Sequence, residues 1–219
     1  MNAVTPLEYL RERKIIAIAR GVNPAHILRL GDALLAGGIR MLELTYDQQA
    51  PETWAETASA IRTAEQRFGE ELLIGAGTVI APEQVWMTVE AGGRYIVTPA
   101  VQPDIIRMAK KTGIGAFPGA FTPSEILTAH EAGADAVKVF PAGVLGPEYI
   151  RAVRAPLSHI PLIAVGGVSA GNAAGFLRAG CIGLGIGGNL VNREWMAAGE
   201  WNRIAEAAKE IVQAVSGSA

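Results

Sequence analysis

Short apolar segments recur along this chain and are separated by longer stretches with a helical pattern of apolar and polar positions. Eight apolar segments, rich in β-branched residues, occupy residues 15–20, 41–46, 72–79, 95–100, 114–120, 136–142, 161–168 and 181–188. Apolar runs without polar alternation are typical of parallel strands that are covered on both faces. The pattern therefore predicts eight parallel β-strands alternating with helices.

The segments between the runs carry signals for the ends of helices. Proline, which is favoured in the first helical turn, follows a possible start at residues 23–24, 81–82 and 122–123. An Ala-Gly pair precedes every second strand, at residues 36–37, 91–92, 132–133 and 179–180. Each of these glycines is expected to take the left-handed conformation that ends a helix. This quasi-repeat predicts an α/β fold, a closed (β/α)8 TIM barrel with an extra N-terminal helix in residues 1–13; an open doubly wound sheet is the alternative.

Composition narrows the class of protein. The formal net charge of the 219 residues is −2, which gives no electrostatic attraction to nucleic acid or to an anionic membrane. No shift in composition divides the chain, so residues 1–219 are expected to form a single domain. No apolar run has the length of a membrane span, and the N-terminus lacks an apolar signal segment. The single Cys181 excludes an intrachain disulfide, and we expect a cytoplasmic protein.

Three charged residues lie within the apolar runs or at their ends. Arg20 ends the first run, Glu43 lies in the second and Lys138 in the sixth. Active sites of (β/α)8 barrels lie at the carboxyl ends of the strands, so these side chains are expected to converge there. A buried lysine is costly unless it is paired or used chemically. A structural Glu43–Lys138 ion pair is the alternative.

The chemistry open to such a lysine is nucleophilic catalysis. Burial lowers the pKa of an amine, and a neutral amine converts a ketone into an iminium, an electron sink for breaking a carbon–carbon bond. Glu43 could transfer protons, and Arg20 could bind a carboxylate through two hydrogen bonds. No metal or other cofactor is expected, because the three histidines, His26, His130 and His159, show no ligand spacing.

Glycine pairs follow the last two apolar runs, at Gly166-Gly167 and Gly187-Gly188. In barrels of this kind, backbone N–H groups after the seventh and eighth strands commonly bind phosphate. The glycine-rich residues 75–79 lack the third glycine of a dinucleotide-binding fingerprint. The two pairs predict a substrate that carries phosphate.

Eight motifs occur in the order IIAIARG, LELT, IGAGTV, IVTP, FPGAFTPSE, VKVFPAGVLGPEYI, AVGGVS and GIGGNLV. Together they resemble the 2-keto-3-deoxy-6-phosphogluconate / 4-hydroxy-2-oxoglutarate aldolase family, the small class I pyruvate aldolases. The resemblance implies that Lys138 is the Schiff-base lysine and Glu43 the general acid/base, and that the protein is a homotrimer. It implies that the pyruvate carboxylate and pocket are formed by Arg20, Thr78, Pro99 and Phe140. It implies that phosphate is bound by Gly166, Gly167, Gly187 and Gly188.

Two positions depart from the pattern of that family. Asp47 stands where some members carry an arginine, a role that Arg20 can take. Gly188, followed by Asn189, stands where many members carry a serine, so one hydroxyl donor to phosphate is missing. A substrate without phosphate therefore stays open.

The expected activity is reversible cleavage of 2-keto-3-deoxy-6-phosphogluconate to pyruvate and an aldehyde such as glyceraldehyde 3-phosphate. Related small keto acids, 4-hydroxy-2-oxoglutarate and the galactonate epimer, are alternative substrates. A phosphate-binding barrel isomerase or epimerase is an alternative of another class, because it would keep the glycine pairs but needs no lysine in the sixth strand. A non-catalytic assembly or sensor protein is a further alternative.

Overall fold

The fold is a ring of parallel strands surrounded by helices. The structure is a computed structural model that describes residues 4–21 and 23–216. Its strands are β1 (Ile15–Ala19), β2 (Met41–Thr45), β3 (Leu73–Gly77), β4 (Tyr95–Val97), β5 (Gly115–Phe117), β6 (Gly119–Ala120), β7 (Val137–Val139), β8 (Leu162–Val165) and β9 (Gly183–Ile186). Its helices are α1 (Pro6–Arg13), α2 (Ile27–Ala36), α3 (Trp54–Phe68), α4 (Pro82–Glu90), α5 (Pro103–Lys111), α6 (Pro123–Glu131), α7 (Ala142–Arg154), α8 (Ala170–Arg178), α9 (Arg193–Ala197) and α10 (Trp201–Ser216). Each predicted apolar run contains strand structure.

The order of the strands closes the ring. Neighbours run β5-β4-β3-β2-β1-β9-β8-β7-β6, and all recorded pairs are parallel. β5 and β6 are two parts of the fifth predicted run, separated by Pro118. The sheet therefore begins and ends on the same segment of chain. The predicted (β/α)8 barrel is confirmed, and the open doubly wound sheet is wrong.

The N-terminal helix covers one end of the barrel. Thr5 and Glu8 form a capping box at the start of α1, and Lys14 ends the helix in the left-handed conformation at φ 66°. Leu10 of α1 is fully buried and packs so closely on Gly183 of β9 that a Cβ there would lie 2.6 Å from the leucine. Residues 1–3 of the predicted helix lie outside the described residues. Since α1 covers the amino ends of the strands, the cavity described below opens at their carboxyl ends.

Three of the four Ala-Gly pairs end helices as predicted. Gly92, Gly133 and Gly180 have φ values of 87°, 100° and 105°. At the first pair the prediction was one residue out: Gly37 has φ −84°, and the following Gly38 takes the left-handed conformation at φ 90°. Either glycine allows the chain to turn sharply into the next strand.

Candidate active site

The side chains that point into the barrel change from apolar to charged towards its open end. Alternate residues of a strand face the same side of the sheet. Met41 and Ala136 belong to the apolar cluster inside the barrel, so Glu43 and Lys138, two residues further along, continue the same inner face. Arg20 stands in the same relation to Ile18 of β1. The barrel thus places all three charged residues together, as the sequence predicted.

Burial sets the ionisation of this group. Glu43 and Lys138 are only 3% and 7% exposed. Burial raises the pKa of Glu43 above its usual value, and the charges of Lys138 and Arg20 oppose that rise. Burial lowers the pKa of Lys138, against the opposing effect of the Glu43 carboxylate, and Arg20 lowers it further. The result favours a neutral amine beside a proton-carrying carboxyl group.

Lys138 and Glu43 do not form a direct ion pair. The ion pairs within 4.0 Å in residues 4–21 and 23–216 involve neither side chain. The Lys138 amine instead lies over the Phe140 ring, whose centroid is 5.0 Å from Nζ. A direct contact of the two charges, which the structural alternative requires, is therefore absent between these two described residues.

Thr78 and Pro99 lie at the ends of the two neighbouring strands. Thr78 directly follows β3 and has φ 56°, which is unfavourable for a β-branched residue and is typical of functional sites. Its carbonyl accepts a hydrogen bond from the Gln48 side chain. Pro99 follows β4 and is exposed, and its carbonyl oxygen would lie 2.4 Å from a Cβ on Gly119, the β6 residue that pairs with Lys138. Both residues therefore lie on the rim around the charged group.

A cavity of about 840 Å³ opens at the same end of the barrel. Of the ten predicted site residues, six line it, namely Arg20, Phe140, Gly166, Gly167, Gly187 and Gly188. Lys138, Glu43, Thr78 and Pro99 are not part of its wall. Phe140 joins the two regions, because its ring both lines the cavity and contacts the Lys138 amine.

The glycine pairs form two different walls of this cavity. Gly166 and Gly167 have φ values of 86° and 76°, which other residues rarely adopt. Gly143 of α7 supports them: its N–H donates to the Gly166 carbonyl at 2.7 Å, and a Cβ on it would lie 2.9 Å from Gly167 Cα. Nothing lies within 4 Å of a Cβ built on Gly187 or Gly188, so that wall is open.

Asn189 connects the two glycine loops. Its side-chain Nδ2 donates to the Val168 carbonyl at 2.9 Å. One of its two N–H donors is thus used to hold the loop after β9 against the loop after β8. Only one donor of the Asn189 side chain therefore remains for a ligand.

Sequence comparison identifies the family. The family model for KDPG and KHG aldolase matches residues 7–207. The chain belongs to this aldolase family. Its members are carbon–carbon lyases, which agrees with a buried lysine and carboxyl group at the open end of a barrel.

Named relatives support the assignment. The 2-dehydro-3-deoxy-6-phosphogalactonate aldolase of Escherichia coli K12 is 40% identical over 185 residues, which cover 84% of this chain and 87% of the relative. A 2-dehydro-3-deoxy-phosphogluconate aldolase of Haemophilus influenzae is 30% identical and covers 95% of this chain and 96% of its own. The solved KDPG aldolase of Legionella pneumophila, with pyruvate captured as a covalent carbinolamine, has a TM-score of 0.84 at 26% identity and covers 95% and 98% of the two chains.

Four residues of this aldolase escaped prediction from the sequence. Gly77 leaves room for the Glu43 carboxyl group, because a Cβ there would lie 1.8 Å from Glu43 Oε1. The same glycine also stands directly before the strained Thr78. Gly143 supports the first glycine pair, and Arg193 lines the cavity. A glycine inside a strand was the only available signal for Gly77.

Tyr95 is the fourth of these residues and lies inside the barrel. It is fully buried, and its hydroxyl has no hydrogen-bond partner among the described residues. Its ring packs on β3, where a Cβ on Gly75 would lie 2.5 Å from ring atoms. Burial, together with the Glu43 carboxylate, raises the pKa of Tyr95 well above its usual value. The tyrosine therefore stays neutral beneath Glu43.

The remaining potential metal ligands and the single cysteine form no second reactive site among the described residues. The described residues contain no group of three or more His, Cys, Asp or Glu side chains placed to hold a metal ion; the predicted lack of a metal stays a prediction. Cys181 is buried, and burial raises the pKa of its thiol to about 12. Within residues 4–21 and 23–216, no helix combines the length and apolar character needed to cross a membrane.

Proposed function

We propose that this aldolase cleaves 2-keto-3-deoxy-6-phosphogluconate, or its galactonate epimer, reversibly to pyruvate and glyceraldehyde 3-phosphate through a Schiff base on Lys138. The observation that carries this proposal is the arrangement of Lys138 and Glu43. Both are buried at the open end of the barrel, with opposite pKa shifts and no direct ion pair. An isomerase or epimerase would need the phosphate cradle without this lysine.

The first half of the reaction forms the electron sink. The neutral Lys138 amine attacks the C2 ketone and gives a carbinolamine. Glu43 in its protonated form, which burial favours by raising its pKa, donates a proton to the C2 hydroxyl, which leaves as water. The product is an iminium between Nζ and C2. The Legionella relative, solved with pyruvate as a covalent carbinolamine, supports this order of steps for the family fold.

The second half breaks the C3–C4 bond. The Glu43 carboxylate, now ionised, accepts the C4 hydroxyl proton. The O–H bonding pair becomes the C4=O π bond of the aldehyde, the C3–C4 bonding pair becomes the C2=C3 π bond of the enamine, and the C=N π pair moves onto nitrogen. Protonation at C3 and addition of one water then release pyruvate and the free lysine. The water lost in the first half is thereby restored.

Binding roles follow from the positions around the lysine. Arg20 would bind the pyruvate carboxylate through two charge-assisted hydrogen bonds, with Thr78 holding its other side. Pro99 and Phe140 would form the walls beside C2 and C3. Gly166 to Gly167 and Gly187 to Gly188 would offer backbone N–H groups to the phosphate, and the left-handed conformations of the first pair support this role.

The galactonate epimer is a second candidate for the same chemistry. The E. coli relative at 40% identity is named for it, whereas the H. influenzae relative at 30% is named for the gluconate. Both acids share C1 to C3 and the phosphate, so the residues assigned to the carboxylate, to C2 and C3 and to the phosphate serve either. We expect measurement of kcat/KM on the two epimers to decide between them.

Covalent trapping tests the proposed chemistry. Pyruvate with sodium borohydride should reduce the iminium and leave a three-carbon adduct on Lys138, found by peptide mass spectrometry. The exposed lysines Lys110, Lys111 and Lys209 should remain unlabelled. A reaction without borohydride is the control. An active enzyme without an adduct at Lys138 would falsify the Schiff-base mechanism.

We also propose that residues 1–219 act as one domain, assembled as a homotrimer in the cytoplasm. The family resemblance supports the trimer, as do large apolar side chains left exposed, such as Trp86, Ile80 and Leu127. The unpaired, buried Cys181 agrees with a reducing compartment. Light scattering after size-exclusion chromatography tests the assembly, and a monomeric mass at micromolar concentration would contradict it.

A further inference from the structure

Arg193 brings a cation to the phosphate end of the cavity. It is the first residue of α9 and lines the cavity with Gly187, Gly188 and Asn189. Arg20 also lines the cavity. Because Arg20 is assigned to the substrate carboxylate, Arg193 is available for a second anionic group.

The main chain after β1 holds the Arg193 guanidinium in place. Its Nε donates to the Arg20 carbonyl at 2.9 Å. Its Nη2 lies beside Gly21, where a Cβ would be only 2.3 Å away, and Gly21 has φ 58°. A side chain at position 21 would push the guanidinium out of this position. The close approach of Arg193 to the main chain therefore depends on a glycine at position 21.

The outer nitrogens of Arg193 have no protein partner in the described residues. The hydrogen bond from Nε is the only one recorded for its side chain, and no carboxylate lies within 4.0 Å. Glu194 also lines the cavity but forms no ion pair there. An arginine that is fixed at one nitrogen and open at two is prepared for a planar, two-oxygen anion contact.

We infer that Arg193 binds the substrate phosphate and takes over the role of the hydroxyl donor that Gly188 lacks. This inference rests on the proposed function for the nature of the substrate. Gly188 has no side chain, and the Asn189 side chain uses one of its two N–H groups in the hydrogen bond to the Val168 carbonyl. Arg193 supplies charge as well as donors, and hydrogen bonds to charged groups are the stronger class. It is a binding residue for specificity and touches no reacting atom.

Kinetics on paired substrates test the inference. Each six-carbon acid, gluconate and galactonate epimer, is compared with the same acid lacking the phosphate. Arg193→Met should raise KM for the phosphorylated acid about 10-fold or more. We expect kcat, and all constants for the acid without phosphate, to stay near those of the wild type. Arg193→Lys should recover part of the loss, because it keeps the charge but not the planar fork.

Arg107→Met is the matched control, since Arg107 is exposed on α5 and pairs with Asp104 away from the cavity. Equal losses on both acids would overturn the inference, because they would mean that Arg193 acts only by positioning Arg20. Unchanged constants in Arg193→Met would overturn it as well.

Binding of inorganic phosphate gives a readout that does not depend on activity. Phosphate should raise the melting temperature of the wild type and of Arg107→Met more than that of Arg193→Met. Equal shifts in all three proteins would overturn the inference. If the wild type cleaved none of the four acids, the proposed function would fail, and this measurement would still decide the role of Arg193.

Discussion

The two ends of the site differ in burial and in the groups that form them. At the inner end, Lys138 and Glu43 project from β7 and β2, and both are almost fully buried. At the outer end, Gly187 and Gly188 lie in a loop with open space around them, and Arg193 is exposed. The inner end consists of side chains on hydrogen-bonded strands, whereas the outer end consists mainly of loop backbone.

The difference follows from what each end must do. Proton transfer and amine attack need shifted pKa values, and burial on rigid strands provides them. A phosphate remains charged throughout, so its site needs donors and access to solvent more than burial. Changes at the inner end should therefore affect kcat, and changes at the outer end should affect KM for phosphorylated substrates.

Loss of the proposed nucleophile, Lys138, has the largest expected effect. Lys138→Met should lower kcat by a factor on the order of 10⁴ or more, because the covalent route is removed. The fold should persist, since a buried charge is replaced by an apolar side chain of similar length. Steady-state cleavage and circular dichroism check the two parts. Lys209→Met, on the exposed face of α10, is the control, and substantial residual turnover in Lys138→Met would assign the lysine to structure.

Removal of the proposed proton carrier, Glu43, has the next largest expected effect. Glu43→Gln should lower turnover about 100-fold or more, the range of general acid–base catalysis. The control is Glu65→Gln, because Glu65 also has a pKa raised by burial but lies on helix α3 and not on a strand of the barrel. Near-normal cleavage by Glu43→Gln would contradict the catalytic assignment.

Glu43→Gln should also change the pH dependence of trapping with pyruvate and borohydride. Trapping with pyruvate needs the neutral amine, so its rate rises as pH rises through the pKa of Lys138. The Glu43 carboxylate raises that pKa. Glu43→Gln removes the charge, so the pKa falls further and the acid limb of the trapping profile should move to lower pH. A shift to higher pH would mean that the two groups do not interact as described.

A methyl group at Gly77 should disturb the inner end without destroying it. The Cβ would lie 1.8 Å from Glu43 Oε1 and 2.7 Å from its Cγ, so the Glu43 side chain must move from its present position. Gly77→Ala should lower kcat roughly 10- to 100-fold, because a catalytic group displaced by about 1 Å loses alignment.

Gly75→Ala is the contrasting variant, because its Cβ would meet the fully buried Tyr95 ring at 2.5 Å. It should lower the free energy of unfolding by about 1–3 kcal/mol, the usual range for overpacking a core. Chemical denaturation and kinetics separate the two effects. A Gly77→Ala enzyme with normal kcat would show that Glu43 does not need its present position.

The smallest change restores a hydroxyl at the outer end. A Cβ on Gly188 meets nothing within 4 Å, so Gly188→Ser should fit without strain. If the hydroxyl donates to phosphate, KM for the phosphorylated acid should fall about 5- to 30-fold, while cleavage of 4-hydroxy-2-oxoglutarate stays nearly constant. An equal effect on both substrates would show that this loop does not recognise phosphate.

The sequence alone determined the strands and the charged residues of the inner end. Strands covered on both faces need continuous apolar runs, so a short stretch of sequence is enough to locate them. A charged residue within such a run is then easily recognised. Arg20, Glu43 and Lys138 were found in this way. The interruption at Pro118 was less visible, because β5 and β6 differ only in which neighbours they pair with.

Only the tertiary structure decided the contacts that join distant parts of the chain. The hydrogen bond from Arg193 to Arg20 spans 173 residues, and the contact of Gly77 with Glu43 links two strands. The side-chain direction of Asn189 likewise depends on the loop that holds Val168. These contacts exist because barrel closure brings the carboxyl ends of all strands together, a property of the whole ring that no local pattern records.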